Sequence, residues 1–505
     1  MYIKKELQHI IKTSLLELNI STDESDIILT KKDNYYTTNI AISISRQLHK
    51  KPEEVGEILK SSLTHPLIDK IDLIYPGILN ITINEKYLLN GISKIIEQNI
   101  NYGKSKIGKQ RKLNIMLSQI NPCDKLTTNN LKNIIYGDNL SRLLKYNDYN
   151  VETEIYVQDT SLEDYGIKIK NNYLELCNSK IPKDNNNIEN ILYNSYKDTL
   201  INNDITYFIE KETTHNLDYI KKYLDKLRIN FDNYISEESL YNNSQVDNTL
   251  DLLNRKGYTY FDTDSLWLKT TLFNDKKDRK LIYNDGTYTN LLPKISYHLE
   301  LFNKNYDGLI DIVDNNYDTL ELTSSLRLLS QNISKLDIKV LNNNEEINYN
   351  ELIEKYGINQ IRYLFSQIDT IDYNKYISEI NTTNDKLYVI EKCNSKIYQI
   401  FNNYHKKITK VNNFSTINNP TAYIIMNKLY EFVDVVTESC IKQNPSIISN
   451  YIYELVTLFN KYYNEEEIIN EDEIYTIERL NFILAIKIVL NNSLDLIGII
   501  PRETF

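Results

Sequence analysis

Apolar residues recur at helical spacing over the first turns of the chain, at Ile3, Leu7, Ile10, Ile11 and Leu15, and predict an amphipathic helix. The run from Ile27 to Leu29 reads as a strand, and Pro52 stands near the start of a further helix, where proline is tolerated. Leu79, Ile81 and Ile83 then alternate after a Pro-Gly turn, the period of a half-buried strand. At Leu113 the pattern changes. Leu113, Ile115 and Leu117 mark a buried strand and Asn121-Pro122 a turn. Leu131, Ile134, Ile135, Leu140, Leu143 and Leu144 then follow as an amphipathic helix. Val151, Thr153, Ile155 and Val157 alternate as one face of a second strand. A long helical pattern from Ile205 to Ile235 carries Tyr219, Ile220, Tyr223, Leu224 and Leu227. Strands from Leu266 to Lys269 and from Lys280 to Tyr283 flank a charged turn, and Asn284-Asp285-Gly286 makes another tight turn. From about residue 370 the apolar positions repeat at three and four, in segments around 388–404, 423–439, 447–463 and 474–496.

These patterns predict a multidomain α/β protein. A small α/β domain spans 1–105, a central domain with a parallel sheet spans 106–370, and an all-helical bundle spans 371–505. A length of 505 residues agrees, being too long for one core. Within the central domain, the strand, polar loop and helix between Leu113 and Tyr146 form the arrangement in which α/β folds hold phosphates. A basic stretch at 104–112 reads as a linker, and the Asn- and Lys-rich 180–204 as a surface insertion. The net charge of −11 argues against a nonspecific polyanion binder and leaves room for a local basic groove. Cys123, Cys177, Cys393 and Cys440 form no close pair, so neither a zinc site nor a disulfide framework is predicted, and a reducing cytoplasm fits. No apolar run approaches membrane-spanning length. The 41 tyrosines, with abundant Ile, Asn and Lys, read as codon bias rather than function.

Asn121-Pro122, Leu126, Tyr136-Gly137-Asp138 and Arg142-Leu143-Leu144 stand in one register, and more motifs follow. These are Trp267, Lys277-Asp278-Arg279, Asp285-Gly286-Thr287-Tyr288, Pro293 and Tyr297-His298, with the segments 229–241 and 351–365. On these residues the chain resembles the bacterial-type class I arginyl-tRNA synthetases over essentially its whole length. The resemblance implies an N-terminal domain that touches the tRNA elbow, a Rossmann-like catalytic domain and a helical anticodon-binding domain. It also implies a reaction: arginine is activated with ATP and passed to tRNA.

Where the family carries its chemistry, this sequence departs from it. The His-x-Gly-His tetrad falls on Thr127-Thr128-Asn129-Asn130, so the histidine positions are Thr127 and Asn130 and the glycine position is Asn129. Asparagine donates hydrogen bonds but carries no positive charge. The mobile Lys-Met-Ser-Lys loop falls between Asp337 and Glu346, where Lys339 alone could stand in. A strand glutamate expected to hold the α-amino group aligns with Met116, and a Tyr-x-x-x-Asp pair that grips substrate aligns with Asn290 and Lys294. A lysine there repels a guanidinium. The Gly-Ala-Asp-His-His-Gly segment of the ATP site aligns with 314–319, while Asn121 and Asp159 keep their places. In the N-terminal domain the tRNA-contact positions are Asn39, Ile78 and Asn80, with Ile78 replacing a ring that stacks on a base. Asn80 and Asn121 read equally as turn residues bonding their own backbone. The expectation is a family paralogue that binds tRNA or a protein partner without catalysis, as a monomer or a subunit of a hetero-complex. It has no metal site, no DNA partner and no membrane partner. No cofactor is expected, ATP and Mg entering only if the chain is the first alternative, a divergent active ligase; the others are a scaffold subunit with no RNA role and a module whose Lys294 captures an anion.

Overall fold

The computed structural model describes residues 3–32, 35–124, 126–160, 162–179, 205–314, 319–341, 348–367, 373–382 and 384–501. The predicted insertion at 180–204 lies outside them, as do 342–347 of the second loop and 315–318 of the ATP-site segment.

Helix α1 (Ile3–Glu17) buries Ile3, Leu7, Ile11 and Leu15, as its spacing predicts. The strand predicted at 27–29 is not one. Ile27 and Leu29 are buried from extended chain with no partner strand, and pairing begins only at β1 (Thr30–Lys31). Burial without a ladder produces the same apolar signal as a strand. β1 pairs with β2 (Tyr35–Thr38), and α2 (Ile40–Ile44) and α3 (Pro52–Ser62) follow, Pro52 in the first turn. With β3 (Ile68–Ile74) and β4 (Ile78–Ile83) they complete an antiparallel sheet ordered β1-β2-β4-β3, with Leu79, Ile81 and Ile83 facing the helices. Short α4 (Glu85–Leu88) and α5 (Gly91–Gln98) lead to the central region.

The central region opens with β5 (Lys112–Ile120), α6 (Thr128–Tyr146) and β6 (Asn150–Val157). The basic stretch before it is no free linker, because Gly108 N donates to Asn147 O (2.9 Å) and Gln110 N to Asp148 O (2.8 Å). α7 (Glu163–Ser179) and α8 (Ile205–Lys226) pair with each other. α8 stops at Lys226, nine residues short of the predicted Ile235, which belongs to strand β7 (Asn233–Ser236). The chain continues through α9 (Glu237–Asn242), α10 (Gln245–Arg255) and the antiparallel β8 (Thr259–Asp262), β9 (Ser265–Leu268) and β10 (Arg279–Ile282). α11 (Leu291–Asn303), β11 (Gly308–Val313), α12 (Thr319–Leu328) and β12 (Leu336–Val340) close the region. Five strands form an all-parallel sheet ordered β12-β11-β5-β6-β7, the doubly wound order whose switch point lies between β5 and β11. Gly137 is required where α6 crosses this sheet, because a Cβ there would stand 2.5 Å from Leu117 Cδ2 and 2.8 Å from Ile312 Cδ1.

The rest is helical: α13 (Tyr349–Tyr356), α14 (Ile358–Ser366), α15 (Tyr373–Glu379), α16 (Lys386–Asn403), α17 (Pro420–Lys442), α18 (Ser446–Glu465) and α19 (Glu473–Leu496). The last four fall on the predicted segments and bury the apolar stripes read there. The N-terminal elements lean on this bundle. Tyr430 donates to Leu88 O (2.8 Å), Tyr102 to Leu429 O (2.9 Å) and Asn492 Nδ2 to Asn99 O (2.9 Å). Arg362 on α14, fully buried, pairs with Asp138 and donates to Asn139 Oδ1 (2.9 Å), Leu227 O (3.0 Å) and Ile497 O (3.1 Å). One guanidinium thereby joins α6, the end of α8 and the end of α19. Among the described residues no helix is long and apolar enough to cross a membrane.

Candidate functional site

The carboxyl end of β5 meets the amino end of α6 at the switch point, where doubly wound folds place ligands. The turn between them is held locally, since Asn121 Oδ1 accepts from Cys123 N (2.9 Å). That contact supports the turn reading of Asn121. α6 then begins with a reciprocal cap. Thr127 Oγ1 accepts from Asn130 N (3.1 Å) and Asn130 Oδ1 accepts from Thr127 N (3.0 Å). The Thr127 hydroxyl also donates to Asn130 Oδ1 (2.8 Å), and Asn130 Nδ2 donates to Ser118 Oγ (3.1 Å) and Gln119 O (2.8 Å). The two histidine positions are therefore spent on each other and on the strand. Asn129 is half-buried in the first turn, and its side-chain oxygen has no hydrogen-bond partner among the described residues. Lys132, which sequence reasoning passed over, is buried one residue further into the turn than Leu131, and burial pushes its ammonium pKa down.

Removing the Asn130 amide tests this arrangement. Asn130→Ala loses half of the cap and both anchors to β5, and is expected to destabilise the chain by about 1–2 kcal/mol. Chemical denaturation checks it; an unchanged midpoint contradicts a structural role for Asn130.

The second loop begins later than the sequence predicts. Lys339 belongs to β12, opposite Ile312 of β11, and its ammonium pairs with Asp337 (2.9 Å). It is a strand residue fixed to its neighbour, not a mobile loop cation. On the far flank Tyr349 donates its hydroxyl to Leu126 O, fastening the start of α13 against the α6 entry.

Of the substrate-pocket positions, Asp159 and Lys294 both lie near the Glu237 carboxyl. Met116 is fully buried in an apolar cluster with Tyr156, Leu240 and Leu292. Asn290 is exposed ahead of α11 and makes no capping bond. Lys294 is half-buried, and its ammonium lies close enough to Glu237 to lower that carboxyl, although burial dominates and raises it overall. Asp159 caps α9 by accepting from Glu238 N (2.8 Å). A module in which Lys294 captures an anion gains no support from these neighbours.

A buried polar network emerges instead, most of it unread in the sequence. Tyr297 donates to Glu154, and Tyr156 donates to Glu237 (2.8 Å), which Thr160 also reaches. His298 bonds Asp311 (2.7 Å), both fully buried. Burial opposes charge on His298, but the facing Asp311 carboxylate prevails and raises its pKa. A raised folded-state pKa gives stability that is complete below the unfolded value, about 6.5, and is lost as pH rises through the folded value. The stability gap between the wild type and His298→Gln is accordingly expected to be widest below about pH 6.5 and to shrink above it. Denaturant midpoints across pH measure it, and a pH-independent gap contradicts the charged pair.

Beside this network lies a cavity of about 700 Å³ whose lining includes Asp159, Thr213, Glu210, Glu238, Tyr241 and Tyr288, with α8 as one wall. Among the described residues, carboxylates and no cationic side chain line it, an environment unfavourable to a triphosphate. Thr127, Asn130 and Lys339 are each engaged with a neighbouring side chain. Among the described residues no cluster of His, Cys, Asp and Glu could hold a metal ion.

The N-terminal candidates lie near one outer sheet face. Ile78 and Asn80 alternate with the buried residues of β4, and Asn80 Oδ1 accepts from Thr37 Oγ1 (2.9 Å). Asn39 is exposed just before α2. Tyr75, which the sequence reading did not single out, stands 80% exposed at the β3–β4 hairpin, three residues before the position that lacks a ring.

Comparison with known proteins adds whole-chain relationships. A domain family described as the arginyl tRNA synthetase N terminal domain matches residues 4–83, and the DALR anticodon binding domain matches 391–504. An arginine–tRNA ligase of Bacillus subtilis is 27% identical over 99% of both chains, and arginine–tRNA ligase 1 of Halalkalibacterium halodurans is 26% identical over the same shares. The solved arginyl-tRNA synthetase of Plasmodium falciparum shares the fold with a TM-score of 0.72 at 17% identity, covering 100% of this chain and 99% of its own.

Proposed function

We propose, from the premise that this chain belongs to the arginyl-tRNA synthetase family, that it binds tRNA through its terminal regions and does not charge it. The division of labour follows 1–105, 106–370 and 371–505: elbow contact, a silent centre and anticodon contact. The observation that carries this reading is the use of Asn130, whose amide is committed to Thr127, Ser118 and Gln119 and turns no donor towards a phosphate. The acid-lined cavity and the Lys339–Asp337 pair support it. Binding that persists without chemistry suits a partner role, on tRNA or between tRNA and another protein.

Whole-chain similarity favours a second reading, an active but divergent arginine–tRNA ligase, because both curated relatives carry that name and match from end to end. The buried ammonium of Lys132 is a cation among the described residues that this reading can place near the tetrad. One experiment separates them: total tRNA is retained on filters across a salt series, and the same protein is assayed for charging with arginine. The first reading expects affinity that falls with salt, by a slope of about −0.7 to −0.9 per phosphate contact, and no charging. Charging above background overturns it in favour of the second, and absence of retention overturns both.

A further inference from the structure

A second cavity, of about 670 Å³, lies between the N-terminal sheet and the helical bundle, and neither reading uses it. Its volume is that of a small-ligand pocket, and the seam between two packed regions is where such pockets form. β1, the start of β2 and the end of β4 build one side, and Tyr423 and Asn427 of α17 close the other. Lys31, Lys32 and Lys86 bring three ammoniums to the lining, against the carboxylate of Asp69 alone among the described residues. The chain as a whole carries a net charge of −11, so this balance is local. Lys31 pairs with Glu431, which Lys428 also holds (3.2 Å), so that nearby carboxylate is already met. Lys32 and Lys86 are exposed, and their ammoniums have no ion pair or hydrogen bond among the described residues. Asn84 spends its side-chain oxygen on the backbone of Lys86 (3.1 Å) and Tyr87 (3.4 Å), which leaves its amide hydrogens to donate.

Donors that gather in a cavity without acceptors select an anion, and ammoniums bind phosphate as point charges. Half-buried Tyr35 and buried Tyr423 add ring surface beside them. We propose that this cavity binds a small phosphate ester, with its phosphate at Lys32 and Lys86 and its organic part against Tyr35 and Tyr423. Such a ligand touches both the N-terminal sheet and α17 and fastens one to the other. The site is separate from the outer sheet positions, because Thr82 follows Ile78 by four residues, about 13 Å along β4. It rests on neither reading of the central region.

Phenyl phosphate, which joins one phosphate to one ring, is the probe. Isothermal titration calorimetry of the full chain at fixed ionic strength is expected to show one saturable site. Inorganic phosphate is expected to bind there about tenfold more weakly, having no ring to bury. Lys32→Ala with Lys86→Ala is expected to weaken phenyl phosphate about tenfold or more, while the free variant keeps the wild-type denaturation midpoint. Asp69→Asn removes the opposing charge and is expected to tighten binding about twofold to fivefold. No saturation below about 10 mM, or affinity indifferent to the two lysines, overturns the proposal, as does weaker binding by Asp69→Asn. Inorganic phosphate bound as tightly as the ester overturns it, because the rings then contribute nothing. Intact tRNA that displaces phenyl phosphate one for one assigns the lysines to an RNA backbone and overturns it too. Phenyl phosphate that stays bound beside retained tRNA supports it.

Discussion

Arginine-dependent charging of tRNA by this chain is expected to stay at background, about 10⁴-fold or more below a histidine-bearing relative. One lost donor of this kind typically costs about 100–1,000-fold, and the resemblance read from the sequence sets two such positions on Thr127 and Asn130. Such losses need not multiply, which sets the expectation at the lower end of their product. The geometry removes the obvious compensation. Thr127 and Asn130 bond each other, and Lys339 is held in a strand by Asp337. Radiolabelled arginine with total tRNA, at enzyme concentrations comparable to the tRNA, measures it. A rate within about 100-fold of the relative is too fast for a site missing both donors.

The largest structural effect is expected at Arg362. Its guanidinium lies wholly inside the protein, and Arg362→Ala leaves the Asp138 carboxylate with Arg142 alone (2.9 Å) and strands the Leu227 and Ile497 carbonyls. Removing one partner of a buried pair costs about 3–5 kcal/mol. Burial lowers the Arg362 pKa, with Asp138 opposing that shift, so the carboxylate is what keeps the cation tolerable there. Gly498 belongs to the same arrangement: its φ is +65°, and a Cβ would stand 1.9 Å from Arg362 Nη2. Gly498→Ala is therefore expected to destabilise the wild type more than it destabilises Arg362→Ala, where the methyl finds room. Thermal and denaturant midpoints of the two single variants and the double variant measure the coupling. A loss below about 1 kcal/mol for Arg362→Ala contradicts the role assigned to it.

Much of the architecture could be read from periodicity. The helices of the C-terminal third and the β5–α6–β6 unit announce themselves because each buries a regular stripe or run. Other features escaped for identifiable reasons. Glu154 sits on a strand whose two faces are both buried, whereas alternation on β6 implies one buried face, so a carboxylate inside the sheet gave no signal. The family resemblance sets Lys339 in a loop, although Leu336, Ile338 and Val340 around it alternate as a strand does. Asn130 looked like a failed catalyst, and its capping role shows only when Ser118 and Gln119 are seen beside it. The Arg362 junction joins residues 135 and 224 positions apart, and no local pattern encodes such distances.

The lean of the N-terminal elements against α17 bears on how the protein is made. Tyr430 reaches Leu88 across 342 residues of sequence, and Gly91 is kept bare to admit its ring. At about 5–20 residues per second, the opening segment emerges from the ribosome roughly 20–70 s before the surface it docks on exists. During that interval the apolar sides of α5 and its neighbours face water uncovered, so nascent chains of this protein call for a chaperone to shield them until translation ends.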